Sequence, residues 1–167
     1  MSPHRELGSI FKAYDVRGVV PTDLDEGVAR RIGSAFAEWA GAPRMAVGYD
    51  CRPSSPKLAA ALHEGITAQG TGVLDLGLAS TDLLYFASGS LDVPGVMLTA
   101  SHNPPQWNGL KFCLAGARPV GEDTGLADIR ALAERDERPP AASRGSVERR
   151  DLLEAYVEHV APFHGAA

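Results

Sequence analysis

Residues 99–111 hold four side chains of different chemistry in a short space: the Ser101 hydroxyl, the His102 imidazole, the Asn103 amide and the Lys111 amine. An apolar run, Val96 to Leu98, leads into Thr99-Ala100, and Pro104-Pro105 follows the polar cluster. Three readings are open. Ser, Asn and Pro are turn residues, and two prolines bar a helix, so the segment suits a plain turn. A serine beside a histidine also suggests a hydrolase. However, sequence neighbours on an extended chain point to opposite sides, and no G-x-S-x-G elbow is present. The third reading is phosphoryl chemistry. A phosphoserine carries roughly −1.5 to −2 charges and three strong acceptor oxygens. It needs cations nearby and, in most such sites, a divalent metal. Lys111 and Arg17 are candidate cations.

The lysine is conspicuous, because three lysines (12, 57 and 111) stand against thirteen arginines. A neutral amine is accessible to lysine and closed to arginine. The rest of the composition is ordinary. Apolar residues make up 44% and charged residues 22% of 167 residues, which suits one domain with its own core. A net charge of −5 argues against a nucleic-acid surface. The two cysteines, Cys51 and Cys113, form no C-x-x-C pair, so a thiolate zinc site is not expected. Cys113 reads as a small core residue. No apolar run approaches ~18 residues, so no membrane span is expected. The opening "MSPHRELGS" lacks the apolar stretch of a signal peptide. These features fit a reducing cytoplasm.

The elements that must position the cluster follow from periodicity. Val28, Ile32, Ala35, Phe36 and Trp39 fall at helical spacing after Asp23, Asp25 and Glu26. Those acids suit a helix start better than a calcium loop, since EF-hand spacing is missing. Residues 44–50 and 72–78 read as buried strands. Between them Ser55 suits an N-cap, Pro56 a first helical position and Gly70 a stop. Beside that helix's Leu58-Leu62-Ile66 stripe, His63 reads as a partly exposed helix residue. A short helix capped by Ser80 or Thr81 leads to a third strand, 95–100, and a fourth, 109–116. Leu126, Ile129, Leu132 and Ala133 mark another helix. A polar Pro-rich linker, 136–146, precedes an amphipathic segment with Leu152, Leu153, Tyr156, Val157 and Val160. Strands alternating with helices predict a three-layer α/β/α domain with a mostly parallel, mixed four-stranded sheet. The third and fourth strands are joined by too few residues for a parallel crossover, so that pair is antiparallel. Ligands in open α/β sheets sit beyond the carboxyl ends of strands, where Ser101 lies.

The order of motifs adds a resemblance. "TASHNPPQWNGLKF" resembles the active-site serine loop of the α-D-phosphohexomutases, with T-x-S-H-N-P at Thr99 to Pro104 and N-G-x-K at Asn108 to Lys111. "FKAYDVRG", 11–18, is similar to the family's F-x-x-Y-D-I/V-R-G opening, and "VGYDCRPSS", 47–55, to its V-G-x-D-x-R-x-S segment. "GVLDLGLASTDLLYFA" resembles the strand and helix that follow. The opening is most similar to the phosphomannomutase/phosphoglucomutase branch; the phosphoglucosamine branch opens F-G-T-D-G-x-R-G instead.

The resemblance implies a catalytic phosphoserine at Ser101, which also gives Mg²⁺ its phosphate oxygen on this chain. It implies Lys111 as general acid/base, Arg17 as support for the phosphoryl charge, His102 as an assisting hydrogen-bond partner and Tyr14 as a substrate contact. The implied reaction moves phosphate between O6 and O1 of a hexose through a bisphosphate, with hexose 1,6-bisphosphate as activator and hexose phosphates as partners. Asp50 and Arg52 are expected to shape the loop by an ion pair. The family's D-G-D-G-D-R metal loop, G-E-x-S-G motif and R-x-S-G-T-E clamp are absent from these residues. The expected organisation is therefore a phosphoserine domain over 1–160, with 161–167 as a tail or the start of a linker to the family's other domains. Such a chain is expected to be inactive alone, whether an excised domain, a truncated product or a free-standing relative. A non-catalytic domain that binds sugar phosphate or a partner protein is the alternative from another class, and a phosphoglucosamine mutase domain is the alternative within the family.

Overall fold

The computed structural model describes residues 6–135, 139–163 and 165. The linker residues 136–138 and the expected domain and tail ends, 1–5, 164, 166 and 167, lie outside the described residues. In chain order the elements are β1 (Val16–Val19), α1 (Glu26–Ala40), β2 (Arg44–Tyr49), α2 (Ser55–Ala68), β3 (Gly72–Leu78), α3 (Thr81–Leu91), β4 (Gly95–Leu98), β5 (Trp107–Leu114), β6 (Arg118–Pro119), α4 (Leu126–Glu134), β7 (Val147–Arg149) and α5 (Leu153–Val160).

Local chemistry sets the helix ends. Asp25 caps α1, its carboxylate accepting from the Val28 N–H at 2.8 Å. Ser80 caps α3 by accepting from the Leu83 N–H at 3.1 Å. The expected cap of α2 is corrected: Ser54 holds the N-cap position and makes no side-chain cap bond, while Ser55 is the first helical residue. The Ser55 hydroxyl is drawn inward instead, donating to Asp50 at 2.8 Å and accepting from Asn108 at 2.9 Å.

The sheet runs β1-β5-β4-β2-β3-β7, with β6 on β5. The four expected strands are present, and β1, β6 and β7 extend the sheet to seven. Pairs β4–β2, β2–β3 and β3–β7 are parallel; β1–β5, β4–β5 and β5–β6 are antiparallel. The three added strands are short or exposed. The sequence carries little apolar signal for them, since β7 is exposed throughout and β1 alternates between buried and half-buried residues.

Two cores sandwich the sheet. On one face Met45, Val47, Val73, Val96, Leu98, Leu110 and Phe112 meet α1, α2 and α4, with the Phe36 and Phe112 rings 4.9 Å apart. On the other, Ala46, Leu74, Leu76 and Met97 meet Leu84 and Ala87 of α3. The result is the three-layer α/β/α architecture. Helices α1 and α2 cross so closely that a Cβ on Gly65 would fall 2.0 Å from the Arg30 carbonyl oxygen, so only glycine fits there. The half-buried His63 lies on α2 with its Nε2 enclosed and unpartnered among the described residues. Amphipathic α5 leans on α3, its Tyr156 ring 5.7 Å and its His159 ring 5.0 Å from Phe86. Its Leu153 and Val157 are exposed rather than buried. No helix of the described residues is long and apolar enough to cross a membrane.

Candidate active site

β2 and β4 lie side by side and parallel, so the loops after them emerge at the same end of the sheet. Asp50 follows β2, and its N–H still donates to the Leu98 carbonyl of β4 at 3.0 Å. Ser101 follows β4 by three residues and is exposed. Its φ is +54°, a left-handed conformation that L side chains adopt at a cost of roughly 1–2 kcal/mol. Asp92 and Ala117 adopt the same conformation, so at Ser101 it marks a tight turn at the strand end. The Ser101 N–H donates to Thr99 Oγ1 at 3.0 Å, and the Asn103 N–H closes a turn on the Ala100 carbonyl at 3.0 Å. The turn reading therefore describes the backbone correctly. It leaves the Ser101 hydroxyl in solvent, 3.4 Å from His102 Nδ1.

Arg52 grips this loop. Its Nη1 donates to the carbonyls of Pro104 (2.8 Å) and Trp107 (2.9 Å), and its Nη2 to those of Ser101 (2.8 Å) and Asn103 (2.9 Å). Its Nε donates to Asp50 at 3.1 Å, and the Arg52 side chain is only 9% exposed. The expected Asp50–Arg52 ion pair is present and is one part of this larger arrangement. Asp50 also accepts from Ser55. Asn108, fully buried, donates to Ser54 and Ser55, both at 2.9 Å, and accepts from the Gly109 N–H at 2.8 Å. Sequence reasoning overlooked Thr99, Ser54 and Ser55 as parts of the site. The signal was available, because the D-x-R-x-S-S and N-G segments are polar runs at strand ends. Their partners lie about 50 positions apart in sequence, so nothing local links them.

The cations stand on the neighbouring strands. Arg17 of β1 is the register partner of Gly109, and Lys111 that of Met97. Strand alternation puts both on the face opposite Val16, Leu110 and Phe112. α3 covers the Cys113 end of that face, where Leu84 and Cys113 crowd Gly95. Lys111 and Arg17 remain half-exposed. Diagonal neighbours on an antiparallel pair lie roughly 7–8 Å apart, within reach of long side chains. Gly109 stands between Arg17 and Thr99, whose N–H donates to its carbonyl at 3.0 Å. A Cβ on Gly109 would fall 2.2 Å from the Val16 oxygen and 2.9 Å from the Thr99 oxygen, so glycine is required at this close approach.

Arg17 Nη2 donates to Asp15 at 2.5 Å, while its Nε is buried with no partner among the described residues. The Lys111 amine has no hydrogen-bond or ion-pair partner among them. Tyr14, on the loop before β1, is 82% exposed and so is no core aromatic. Among the described residues no hydrogen bond ties Arg17, Lys111 or Tyr14 to the Ser101 side chain. No group of three or more His, Cys, Asp or Glu able to hold a metal occurs among them either. Asp23 and Asp25 are engaged at the helix start, Asp23 accepting from the Val19 N–H at 2.9 Å. Cys51 is exposed beside Arg52, and Cys113 is buried.

Residues 8–139 match the family model described as phosphoglucomutase/phosphomannomutase, alpha/beta/alpha domain I. A phosphomannomutase of Escherichia coli is 44% identical over 153 residues, covering 90% of this chain and 34% of that protein. A phosphomannomutase of Klebsiella pneumoniae is 44% identical over 151 residues, covering 89% of this chain and 96% of that protein. The crystal structure of a phosphoglucomutase/phosphomannomutase family protein from Burkholderia thailandensis superposes with a TM-score of 0.78 at 36% identity, over 92% of this chain and 35% of that one. The chain thus spans about a third of the length of most of these relatives. On motif order, fold and similarity together, the chain belongs to the phosphoglucomutase/phosphomannomutase family, as its α/β/α domain I.

Proposed function

We propose that Ser101 is the phosphate carrier of a phosphohexomutase that interconverts hexose 6-phosphate and hexose 1-phosphate, mannose or glucose. The observation that carries this reading is the exposed Ser101 hydroxyl, held at positive φ beyond β4, with two half-exposed cations on the adjoining sheet face. In the proposed cycle phospho-Ser101 gives its phosphoryl group to the free hydroxyl of a hexose phosphate. The bisphosphate turns over in the site and returns its other phosphoryl group to Ser101. Lys111 takes and returns the hydroxyl proton, a role closed to arginine. Arg17 has an unpartnered Nε and supports the charge on the moving phosphoryl group. His102 hydrogen-bonds near Ser Oγ, and Tyr14 meets the sugar.

Mg²⁺ requires near-octahedral oxygen ligands. The described residues do not provide them, so on this chain only the phosphate on Ser101 would meet the ion. The residues also offer no second phosphate clamp, and positioning can be worth roughly 7 to 11 kcal/mol. We therefore expect this chain alone to fold but not to turn over. Two free cysteines fit a reducing cytoplasm.

The test is a chimera in which this chain replaces the matching third of the Escherichia coli phosphomannomutase. The chimera is expected to convert mannose phosphate, while its Ser101→Ala and Lys111→Arg forms lose nearly all turnover. An active chimera whose Ser101→Ala form keeps its rate would refute the proposal.

A further inference from the structure

We infer that Arg52 is the positioning residue of the Ser101 loop: its guanidinium sets where the serine oxygen stands without itself touching a phosphate. The inference rests on the reading of Ser101 given above. A guanidinium has five N–H donors in a fixed plane, and each has an acceptor here. Four go to backbone carbonyls of Ser101, Asn103, Pro104 and Trp107, and the fifth goes to Asp50. A side chain spent in this way has no donor left for substrate. Its charge is also balanced by Asp50, which leaves the phosphoryl charge to Lys111 and to the unpartnered Nε of Arg17, whose Nη2 meets Asp15.

The four carbonyls belong to the segment that would otherwise be least constrained. Two of its residues are prolines with no N–H, and its serine sits in a disfavoured φ region. Such a conformation persists only where the surroundings over-determine it. Here the constraint comes from β2, through a loop almost fifty residues distant in sequence. Asp50 fixes the guanidinium from below, and Asp50 is held in turn by Ser55 and by the Arg52 N–H at 3.1 Å. Lysine cannot replace this arrangement, since an ammonium has three donors and cannot span four carbonyls in a plane.

The experiment compares the wild-type chain with Arg52→Ala and Arg52→Lys. Amide hydrogen exchange is followed in the 99–108 peptide and in peptides from α1 and β2. Phosphate incorporation at Ser101 from hexose 1,6-bisphosphate is followed in parallel in the chimera carrying each form, with and without guanidinium chloride below denaturing concentration. Both variants are expected to exchange at least tenfold faster in the 99–108 peptide while α1 and β2 keep wild-type protection. Both are expected to take up phosphate at least tenfold more slowly, and guanidinium is expected to restore Arg52→Ala in part. Wild-type exchange in the 99–108 peptide of Arg52→Ala would overturn the inference. So would a loss of protection spread evenly over the domain, which would mark a general structural role. Normal phosphate uptake by both variants would overturn it as well. If an active chimera carrying the wild-type chain takes no phosphate at Ser101, the phosphate-carrier reading fails, and the exchange arm alone decides the role of Arg52.

Discussion

Gly109→Ala is expected to be among the most damaging single-methyl changes available in this domain. Position 109 lies between β1 and the end of β4, and the added Cβ would sit 2.2 Å from the Val16 oxygen and 2.9 Å from the Thr99 oxygen. Carbon contacts prefer about 3.5–4.0 Å, so relief needs a displacement of about 1 Å. Both clashing atoms are backbone, so no rotamer change can provide it. Overpacking typically costs about 1–3 kcal/mol. Moving β1 away from β5 also weakens one or two ladder hydrogen bonds, each worth about 1 kcal/mol. The sum is about 2–5 kcal/mol, which in a chain of this size lowers Tm by about 4–20 °C. Urea melts should show a lower midpoint with an unchanged slope. Gly89→Ala is the matched control. It lies within α3 with no atom within 4 Å of the added methyl, and alanine should stabilise that helix by about 0.8–1.0 kcal/mol. A Gly109→Ala protein within about 1 kcal/mol of wild type would refute the close three-strand approach.

Two further outcomes follow from the same geometry. His63 is held below its ordinary pKa of 6.5 chiefly by burial, partly offset by Asp75. The unfolded chain therefore binds this proton more readily than the folded one, so stability is full above about pH 6.5 and is lost as pH falls toward the lower folded value. Melting curves of His63→Gln should be flatter than wild type between about pH 7 and about pH 5.5, and an identical pH dependence would contradict this. Ser101→Gly should raise stability by about 1 kcal/mol by relieving the positive φ, whereas Ser101→Ala should leave Tm nearly unchanged; a Ser101→Gly protein less stable than wild type would show that the conformation is not strained.

Much of this was legible in the chain, for identifiable reasons. The four central strands are mainly apolar, broken only by Asp75 in β3 and by Asn108 and Lys111 in β5 apart from the leading Arg44 of β2, and that apolar pattern was readable. The antiparallel turn of β5 followed from loop length alone. Helix α1 was readable because its stripe and its acidic start agree, and Asp25 does cap it. Ser55 was misread because its hydroxyl is claimed by Asp50 and Asn108, and no local rule shows a partner 53 positions away. β1 and β7 were missed because β1 has only four residues, alternately buried and half-buried, and β7 only three, all exposed, so neither carries an apolar pattern of useful length. The site divides along the same line. Ser101, Lys111 and Arg17 stood out by type and motif, but their relative placement depends on the β1–β5–β4 register. The Arg52 grip was visible only as an ion pair, because its four other acceptors are backbone carbonyls, which sequence does not distinguish.

The most direct measurement is a phosphosite map, by tandem mass spectrometry after incubation with hexose 1,6-bisphosphate and Mg²⁺, of the chimera in which this chain replaces the matching third of the Escherichia coli phosphomannomutase. One phosphate is expected, on Ser101, and none on the Ser101→Ala chain. Phosphate on Ser80 or Ser88 with Ser101 unmodified would contradict the assignment of Ser101 as the carrier.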